Sequence, residues 1–208
     1  MGGRGAGSGR ARGGGLNPGD ILGQRSLISE REGKGALVDA ALQTLRDLND
    51  EYGEIVSELS VATLKNNKRS AGVLGFSDGD NISINEKYFG DNMETAYADS
   101  VKAGYHPSKG NKTALQAVVA HEMGHNMTLA AGRKMGISNM DGAATRIVNE
   151  ARQATGHRGV VQMASKISRY ATASNAEAVA EAVADVYSNG SRAARESRAI
   201  VDVMKKYL

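Results

Sequence analysis

Apolar side chains recur at three- and four-residue spacing through much of this chain, a periodicity typical of helices with one buried face. The first helix should run from Ala36 to about Gly53, with an apolar face formed by Leu37, Ala41, Leu45 and Leu48. Similar patterns predict helices over residues 92–103, 113–125, 144–154 and 160–168, and a last helix after Ser174. Helices therefore dominate the predicted fold, above all in its C-terminal half.

Three segments between the first two helices show strand patterns instead. Residues 54–63 and 71–77 are apolar runs that flank a polar turn, and residues 81–85 alternate polar and apolar side chains. The alternation predicts a half-buried strand at a sheet edge, where an extended peptide could bind by strand addition. Together with the helices, these strands predict an α+β fold, with a small, mostly antiparallel sheet and a helical C-terminal lobe.

The N-terminal segment differs from the rest in composition. Residues 1–19 are rich in glycine and contain Arg4, Arg10 and Arg12 but no acidic residue, so we expect a disordered leader. Residues 20–35 are predicted to be a linker, and residues 36–208 a single domain. The net charge of +3 equals the charge of those three arginines. The remaining chain is balanced, and its composition gives no argument for nucleic-acid binding.

Two absences narrow the predicted chemistry and location. The chain contains no cysteine, which excludes disulfides, thiolate metal ligands and a cysteine nucleophile. It shows no stretch apolar enough to span a membrane and no apolar core of an N-terminal signal peptide. We therefore expect a cytoplasmic protein without a membrane partner.

The clearest chemical signal is the sequence His121-Glu122-Met123-Gly124-His125. Residues four apart on a helix lie on the same face, so the two histidines should point the same way, about one metal ion apart. Glu122 lies beside them as a general base, which is the arrangement of zinc peptidases. Gly124 lowers helix propensity by about 1 kcal/mol relative to Ala, which a crowding backbone or substrate would explain. The motif predicts one zinc ion per chain, with His121 and His125 as ligands.

A catalytic zinc site needs a third protein ligand. The natural candidates are acids in the helix after Ser174, where Glu177, Glu181 and Asp185 fall four residues apart among Ala and Val. Acids in such apolar surroundings need a cation or hydrogen-bond donors. Ser174 and Glu177 also fit a capping box, in which the Glu177 side chain would bind only backbone. Spacing alone does not choose between Glu177 and Glu181.

The chain's other two histidines form no second metal motif. His106 lies in a loop before the HExxH helix and could approach the site, although a single loop histidine is usually exposed. His157 has no partner at metal spacing and is predicted to lie on the surface.

The motif at residues 121–125 and the stretch 168–182 together resemble the anthrax-lethal-factor-like zinc metallopeptidases, in particular small relatives from phages and mobile elements. That family combines HExxH with a tyrosine seven residues before the ligand Glu and another acid one turn later. The resemblance implies a zincin-like fold, Glu177 as the third zinc ligand and Tyr170 as the residue that stabilises the oxyanion. It also implies that Glu181 supports the site without itself binding zinc.

By this resemblance the chain is expected to be a zinc-dependent endopeptidase acting on protein or peptide substrates, with phage structural proteins as further candidate partners. The resemblance also implies association with a virion as an alternative to the cytoplasm. The alternative is a non-catalytic phage head or assembly protein that retains a structural zinc. Such a site does not require Glu122, and the presence of this residue favours catalysis. A third hypothesis, nucleic-acid binding through residues 1–19, offers only three arginines for phosphate contacts.

Overall fold

The architecture comes from a computed structural model that describes residues 22–27, 35–56, 58–64, 73–77, 79 and 81–208. The predicted leader, residues 1–19, lies outside these ranges. Where the chain is described it is α+β, as predicted: a small sheet precedes the helix that carries the HExxH motif, and a helical C-terminal region follows it.

The described residues contain seven α-helices. They are α1 (Gly35–Tyr52), α2 (Asp91–Lys102), α3 (Ala114–Lys134), α4 (Met140–Thr155), α5 (Val160–Ala164), α6 (Asn175–Asn189) and α7 (Arg195–Lys205). Each predicted helix is present, but the helix predicted over residues 160–168 ends at Ala164, and α7 was not predicted. Helix α3 continues well past His125, because Met127 and Ala131 extend its buried face at four-residue spacing. None of these helices combines the length and apolar character needed to cross a membrane.

Four strands form one mixed sheet in the order β1-β2-β4-β3. They are β1 (Leu22–Leu27), β2 (Glu58–Leu64), β3 (Gly75–Ser77) and β4 (Asn81–Asn85). The β1–β2 and β3–β4 pairs are antiparallel, whereas β2 and β4 run parallel. The prediction that residues 20–35 form only a linker missed β1. Its sequence, LGQRSL, does not alternate, and its pairing with β2 depends on the backbone.

The prediction of a half-buried edge strand over residues 81–85 is wrong. Strand β4 lies between β2 and β3, and all five of its residues are buried. Its polar side chains are satisfied inside the protein: Ser83 Oγ lies 3.0 Å from Ser60 Oγ, and Asn85 Nδ2 donates to the Val73 carbonyl at 2.7 Å. Alternation in the sequence cannot distinguish a polar face that meets water from one that meets buried partners. The edge strand nearest to α3 is β3.

Helices α3 and α6 pack against each other over an extensive buried surface. Their contact is close at Gly124, where an added Cβ would lie 2.7 Å from Ala180 Cα and 3.3 Å from Val183 Cβ. The crowding predicted for Gly124 is therefore confirmed, and its cause is the backbone of α6. Because α3 carries the HExxH motif and α6 carries the candidate third ligand, this contact sets the dimensions of the site.

Candidate metal centre

The two histidines of the motif lie one turn apart on α3. The helix begins with a capping box, in which Thr113 Oγ1 accepts from Gln116 N at 3.2 Å and Gln116 Oε1 accepts from Thr113 N at 3.0 Å. Eight residues later, the rings of His121 and His125 have their centroids 5.1 Å apart. Both side chains are only 12 % exposed. A regular helix thus brings two imidazoles to one face, as the spacing predicts.

Glu177 approaches both histidines from the first turn of α6. Its Oε2 lies 3.3 Å from His121 Nε2 and 3.6 Å from His125 Nε2. Ser174 caps the helix by accepting from Glu177 N at 3.1 Å, but the Glu177 side chain points to the histidines and not back to the cap. The three ligand atoms lie within 4.8 Å of one another, the one such group found where the structure is described.

The chemistry of this group fits a metal ion. Glu177 Oε2 is buried and has no hydrogen-bond partner among the described residues. A buried carboxylate oxygen without a donor is costly, and a cation between the three side chains would satisfy it. Two imidazole nitrogens and one carboxylate oxygen are a donor set that transition metals accept. His125 Nδ1 is also buried and has no hydrogen-bond partner among the described residues. His121 differs in this respect, because its Nδ1 contacts a carboxylate, that of Glu181.

Glu181, one turn after Glu177, contacts the other side of His121. Its Oε1 lies 2.7 Å from His121 Nδ1, and its Oε2 accepts from Ser168 Oγ at 2.7 Å. Burial raises the pKa of this carboxyl, but hydrogen bonds from His106 and His121 outweigh burial and lower the pKa to about 2. An ionised Glu181 accepts the Nδ1 proton of His121 and leaves Nε2 facing Glu177. The structure therefore distinguishes the positions of Glu177 and Glu181, which the spacing of the two acids could not do.

Opposite environments surround the two histidines. Burial lowers the pKa of His121, but the adjacent carboxylates of Glu177 and Glu181 outweigh burial, so the net pKa lies well above 6.5. For His125, burial dominates and lowers the pKa to about 4. The metal-free site therefore holds a proton on His121 and a neutral His125. A metal ion bound to His121 Nε2 would displace that proton.

Glu122 lies beside this group, facing the edge strand. It is 7 % exposed, and burial is the largest cause that raises its pKa to about 7. On β3, Gly75 packs directly on it: a Cβ added there would lie 3.0 Å from both Glu122 Cγ and Oε1 and 2.8 Å from Val118 Cγ1. A carboxylate with a pKa near neutrality can both take and return a proton.

Tyr170 lies next to the metal-binding group, in a 3₁₀ turn over Tyr170–Thr172. Its ring stacks on that of His121, with centroids 5.9 Å apart and planes 14° apart. A second stack, at 4.9 Å, joins it to Tyr105. Burial and the nearby Glu177 carboxylate raise the pKa of Tyr170, so its hydroxyl keeps its proton and can donate it in a hydrogen bond.

His106 belongs to this region, so of the two alternatives left open by the sequence the approach to the site holds and exposure does not. Its side chain is 14 % exposed, and its Nδ1 lies 2.9 Å from Glu181 Oε1. The sequence carries no signal for this contact, because a loop residue has no periodicity and Glu181 lies 75 positions away. Only the folded chain brings the two together.

Two other residues weighed in the sequence lie away from the centre. Asp185, the third acid of α6, is satisfied by Ala194 N at 2.9 Å and Ser197 Oγ at 2.6 Å and so supports the start of α7. His157, predicted at the surface, is 15 % exposed and bonds Glu196 Oε1 at 2.8 Å. Both are explained by packing between helices.

The resemblance to lethal-factor-like metallopeptidases rests on motif residues, and it stays a prediction. Comparisons with models of known protein families, with curated proteins and with solved structures found no match.

Proposed function

We propose that this chain is a zinc-dependent endopeptidase, with His121, His125 and Glu177 as ligands and Glu122 as general base. The observation that carries the proposal is the convergence of three ligand atoms beside a buried carboxylate that is not one of them. A structural zinc site is usually closed by four protein ligands, whereas a catalytic site has three and keeps one position open. The described residues supply three.

Zinc held by this group would lower the pKa of a bound water to about 7 and polarise the scissile carbonyl. Glu122 is suited to take the proton of the attacking water on its carboxylate and to return it to the leaving amine. Its buried position keeps its pKa close to neutrality in the metal-free protein, where a general base works best.

Tyr170 is suited to stabilise the negative charge that develops on the carbonyl oxygen of the substrate. Its hydroxyl is held in its protonated form, and its ring is fixed between His121 and Tyr105. Such a preorganised donor typically contributes a factor of about 10²–10³ in rate. Glu181 keeps His121 in the tautomer whose Nε2 faces the other ligands.

The alternative is a non-catalytic assembly protein that uses the metal for stability. Glu122 separates the two hypotheses, because a metal retained only for stability has no use for it. The test compares the chain with Glu122→Gln, which removes proton transfer but no ligand. Both proteins should bind about one zinc per chain. Only the unmodified chain should generate new peptide termini when it is incubated with a proteome-derived peptide library and the products are sequenced by mass spectrometry.

Glu54→Gln is the matched control, since Glu54 is an exposed acid that lies outside the helices carrying the site, α3 and α6. This variant should cleave like the unmodified chain. Equal cleavage by Glu122→Gln would refute the assignment of the base. A chain that binds zinc tightly and yields no new termini in any form would favour the assembly hypothesis.

A further inference from the structure

His106 is held in an aromatic setting next to the candidate metal centre. Its ring lies parallel to that of the buried Tyr97, with centroids 5.4 Å apart and planes 8° apart. The rings of Tyr105 and Tyr170 meet it edge-on, with centroids at 5.1 and 5.3 Å. The backbone fixes the same loop, because Tyr170 N donates to the Tyr105 carbonyl at 3.0 Å. The imidazole therefore has a defined orientation.

In this orientation His106 Nδ1 points at Glu181 Oε1, the same oxygen that contacts the candidate zinc ligand His121. Glu181 Oε1 lies 2.9 Å from His106 Nδ1 and 2.7 Å from His121 Nδ1. The other oxygen, Oε2, accepts from Ser168 Oγ at 2.7 Å. Glu181 is 1 % exposed, so these three donors replace the water that an ionised carboxylate would otherwise bind. Because a carboxylate only accepts, both imidazoles must present Nδ1–H to it.

We propose that His106 is a positioning residue of the metal centre, which acts on His121 through the shared oxygen of Glu181. Its Nδ1–H holds the carboxylate in the plane where Oε1 also meets His121. Without this donor, the carboxylate keeps only His121 and Ser168 and is free to turn towards a different arrangement. The inference rests on the proposed metal site and adds a residue that neither the HExxH motif nor its acidic partner indicates.

The test uses substitutions that separate the hydrogen bond from the ring. His106→Asn places an amide N–H near the position of Nδ1 and loses the aromatic stack. His106→Phe keeps a ring against Tyr97 and loses the donor. His106→Gln places its amide near the position of Nε2 and is a polar control that is not expected to reach Glu181 Oε1.

The first measurement is a competitive zinc titration of the purified full chain and the three variants. Loss of an outer hydrogen bond to a metal ligand typically weakens binding about 10–100-fold. We expect a loss of about tenfold for His106→Phe and His106→Gln, and a change of less than about threefold for His106→Asn. If His106→Asn loses as much zinc affinity as His106→Phe, or if neither loses any, the proposal is wrong.

The second measurement does not need zinc. Nitrogen-15 NMR of labelled histidine in the metal-free protein reports which ring nitrogen of His121 carries the proton, and only four histidines must be assigned. At alkaline pH, the unmodified chain and His106→Asn should show one Nδ1–H form of His121, whereas His106→Phe and His106→Gln should show a mixture. An unchanged single form in all of them would overturn the role of His106.

A chain that binds no zinc would refute the proposed function, and the NMR result would still decide about His106. If His106→Phe does not fold, as judged by circular dichroism, the comparison of Asn with Gln remains.

Discussion

Glu177 and Glu181 lie one turn apart on α6, yet they meet opposite ends of the same imidazole. Glu177 Oε2 faces His121 Nε2 at 3.3 Å, and Glu181 Oε1 faces His121 Nδ1 at 2.7 Å. The two acids also differ in their partners, because Glu181 has three donors and Glu177 Oε2 has none among the described residues. An unsatisfied carboxylate is the one that a metal would bind.

Replacing each acid by its amide should separate these roles. Glu177→Gln replaces the anionic ligand by a poor neutral donor, so zinc affinity should fall by far more than 100-fold, beyond the range of an outer contact. Glu181→Gln should weaken zinc binding by about 10–100-fold. Competitive zinc titration of the two variants beside the unmodified chain measures both effects. The reverse order of effects would exchange the two assignments.

Gly75 is the residue that leaves room for the general base. A methyl group there would lie 3.0 Å from Glu122 Cγ and 2.8 Å from Val118 Cγ1, closer than side chains tolerate. Gly75→Ala should therefore displace the Glu122 carboxylate while the ligands on α3 and α6 stay in place. A shift of about 1 Å in a catalytic group can lower the rate about 10²-fold.

The expected result for Gly75→Ala is zinc binding within about threefold of the unmodified chain and peptide cleavage lower by about 10–100-fold. Gly159→Ala is the matched control, because a Cβ at Gly159 meets no atom within 4 Å and its φ of −136° suits any residue. Cleavage rates of the two alanine variants on one peptide substrate provide the comparison. Equal activity would show that Gly75 does not position the base.

At this scale, the sequence could predict what is local. His121, Glu122 and His125 are related by helical geometry alone, and the structure places them on one face. The different roles of Glu177 and Glu181 could not be assigned from the sequence, because they depend on the direction from which α6 packs against α3. The contact of His106 with Glu181 forms only when the loop before α3 meets α6, and no property of the neighbours of His106 in the chain indicates that contact.

Among the elements, the α3–α6 pair decides the geometry of the centre. Gly124 allows the two helices to approach until an added Cβ would be 2.7 Å from the backbone of Ala180. Two effects of opposite sign act at this position. Alanine would favour helix α3 by about 1 kcal/mol, but overpacking against a backbone that cannot turn aside typically costs about 1–3 kcal/mol. The clash outweighs the propensity because α6 is buried along most of its length.

Gly124→Ala should therefore lower the free energy of unfolding and, by pushing α6 away from α3, weaken zinc binding as well. Urea unfolding of the metal-free protein measures the first effect, and competitive titration the second. The same Gly159→Ala control applies. A more stable Gly124→Ala variant would mean that helix propensity prevails and that the α3–α6 contact is looser than described.

The sheet shows where element-level prediction from sequence fails. From α1 to α6 the order of helix, strands and helices was predictable because each pattern is local, whereas β1 and α7 were not predicted. The place of each strand was not, since β4 buries Asn81, Ser83 and Asn85 against polar partners, and β1 has no alternation at all. Hydrogen bonds between β1 and β2, and side-chain bonds such as Ser60–Ser83, come from strands distant in sequence.

On the scale of the whole molecule, the centre concentrates buried charge between two helices. Three carboxylates, those of Glu122, Glu177 and Glu181, lie with His121 and His125 in a region where water is largely excluded. A cation that binds only the folded form stabilises it, by about 4 kcal/mol when its free concentration is 1,000 times the dissociation constant. Because the ligands come from α3 and α6, a bound metal stabilises the packing of these two helices against each other.

The last prediction concerns how this stabilisation depends on pH. In the metal-free protein the pKa of His121 is raised well above 6.5. The stability that its protonated form contributes is therefore present at low pH and is lost as the pH rises through this raised pKa. The raised pKa of Glu122 acts in the same direction, because the folded protein binds its proton up to pH about 7. Glu177 and Glu181, whose pKa values are lowered, are ionised in both the folded and unfolded states above pH about 5 and contribute no slope there. Zinc needs His121 neutral, so its affinity rises with pH.

The zinc-induced increase in melting temperature should therefore widen steadily from pH about 5 to about 8, in paired scans with zinc and with a chelator. Glu177→Gln is the control and should show little zinc-induced increase at any pH in this range. A zinc-induced increase that is constant across the range would show that no proton is displaced from His121 when the metal binds.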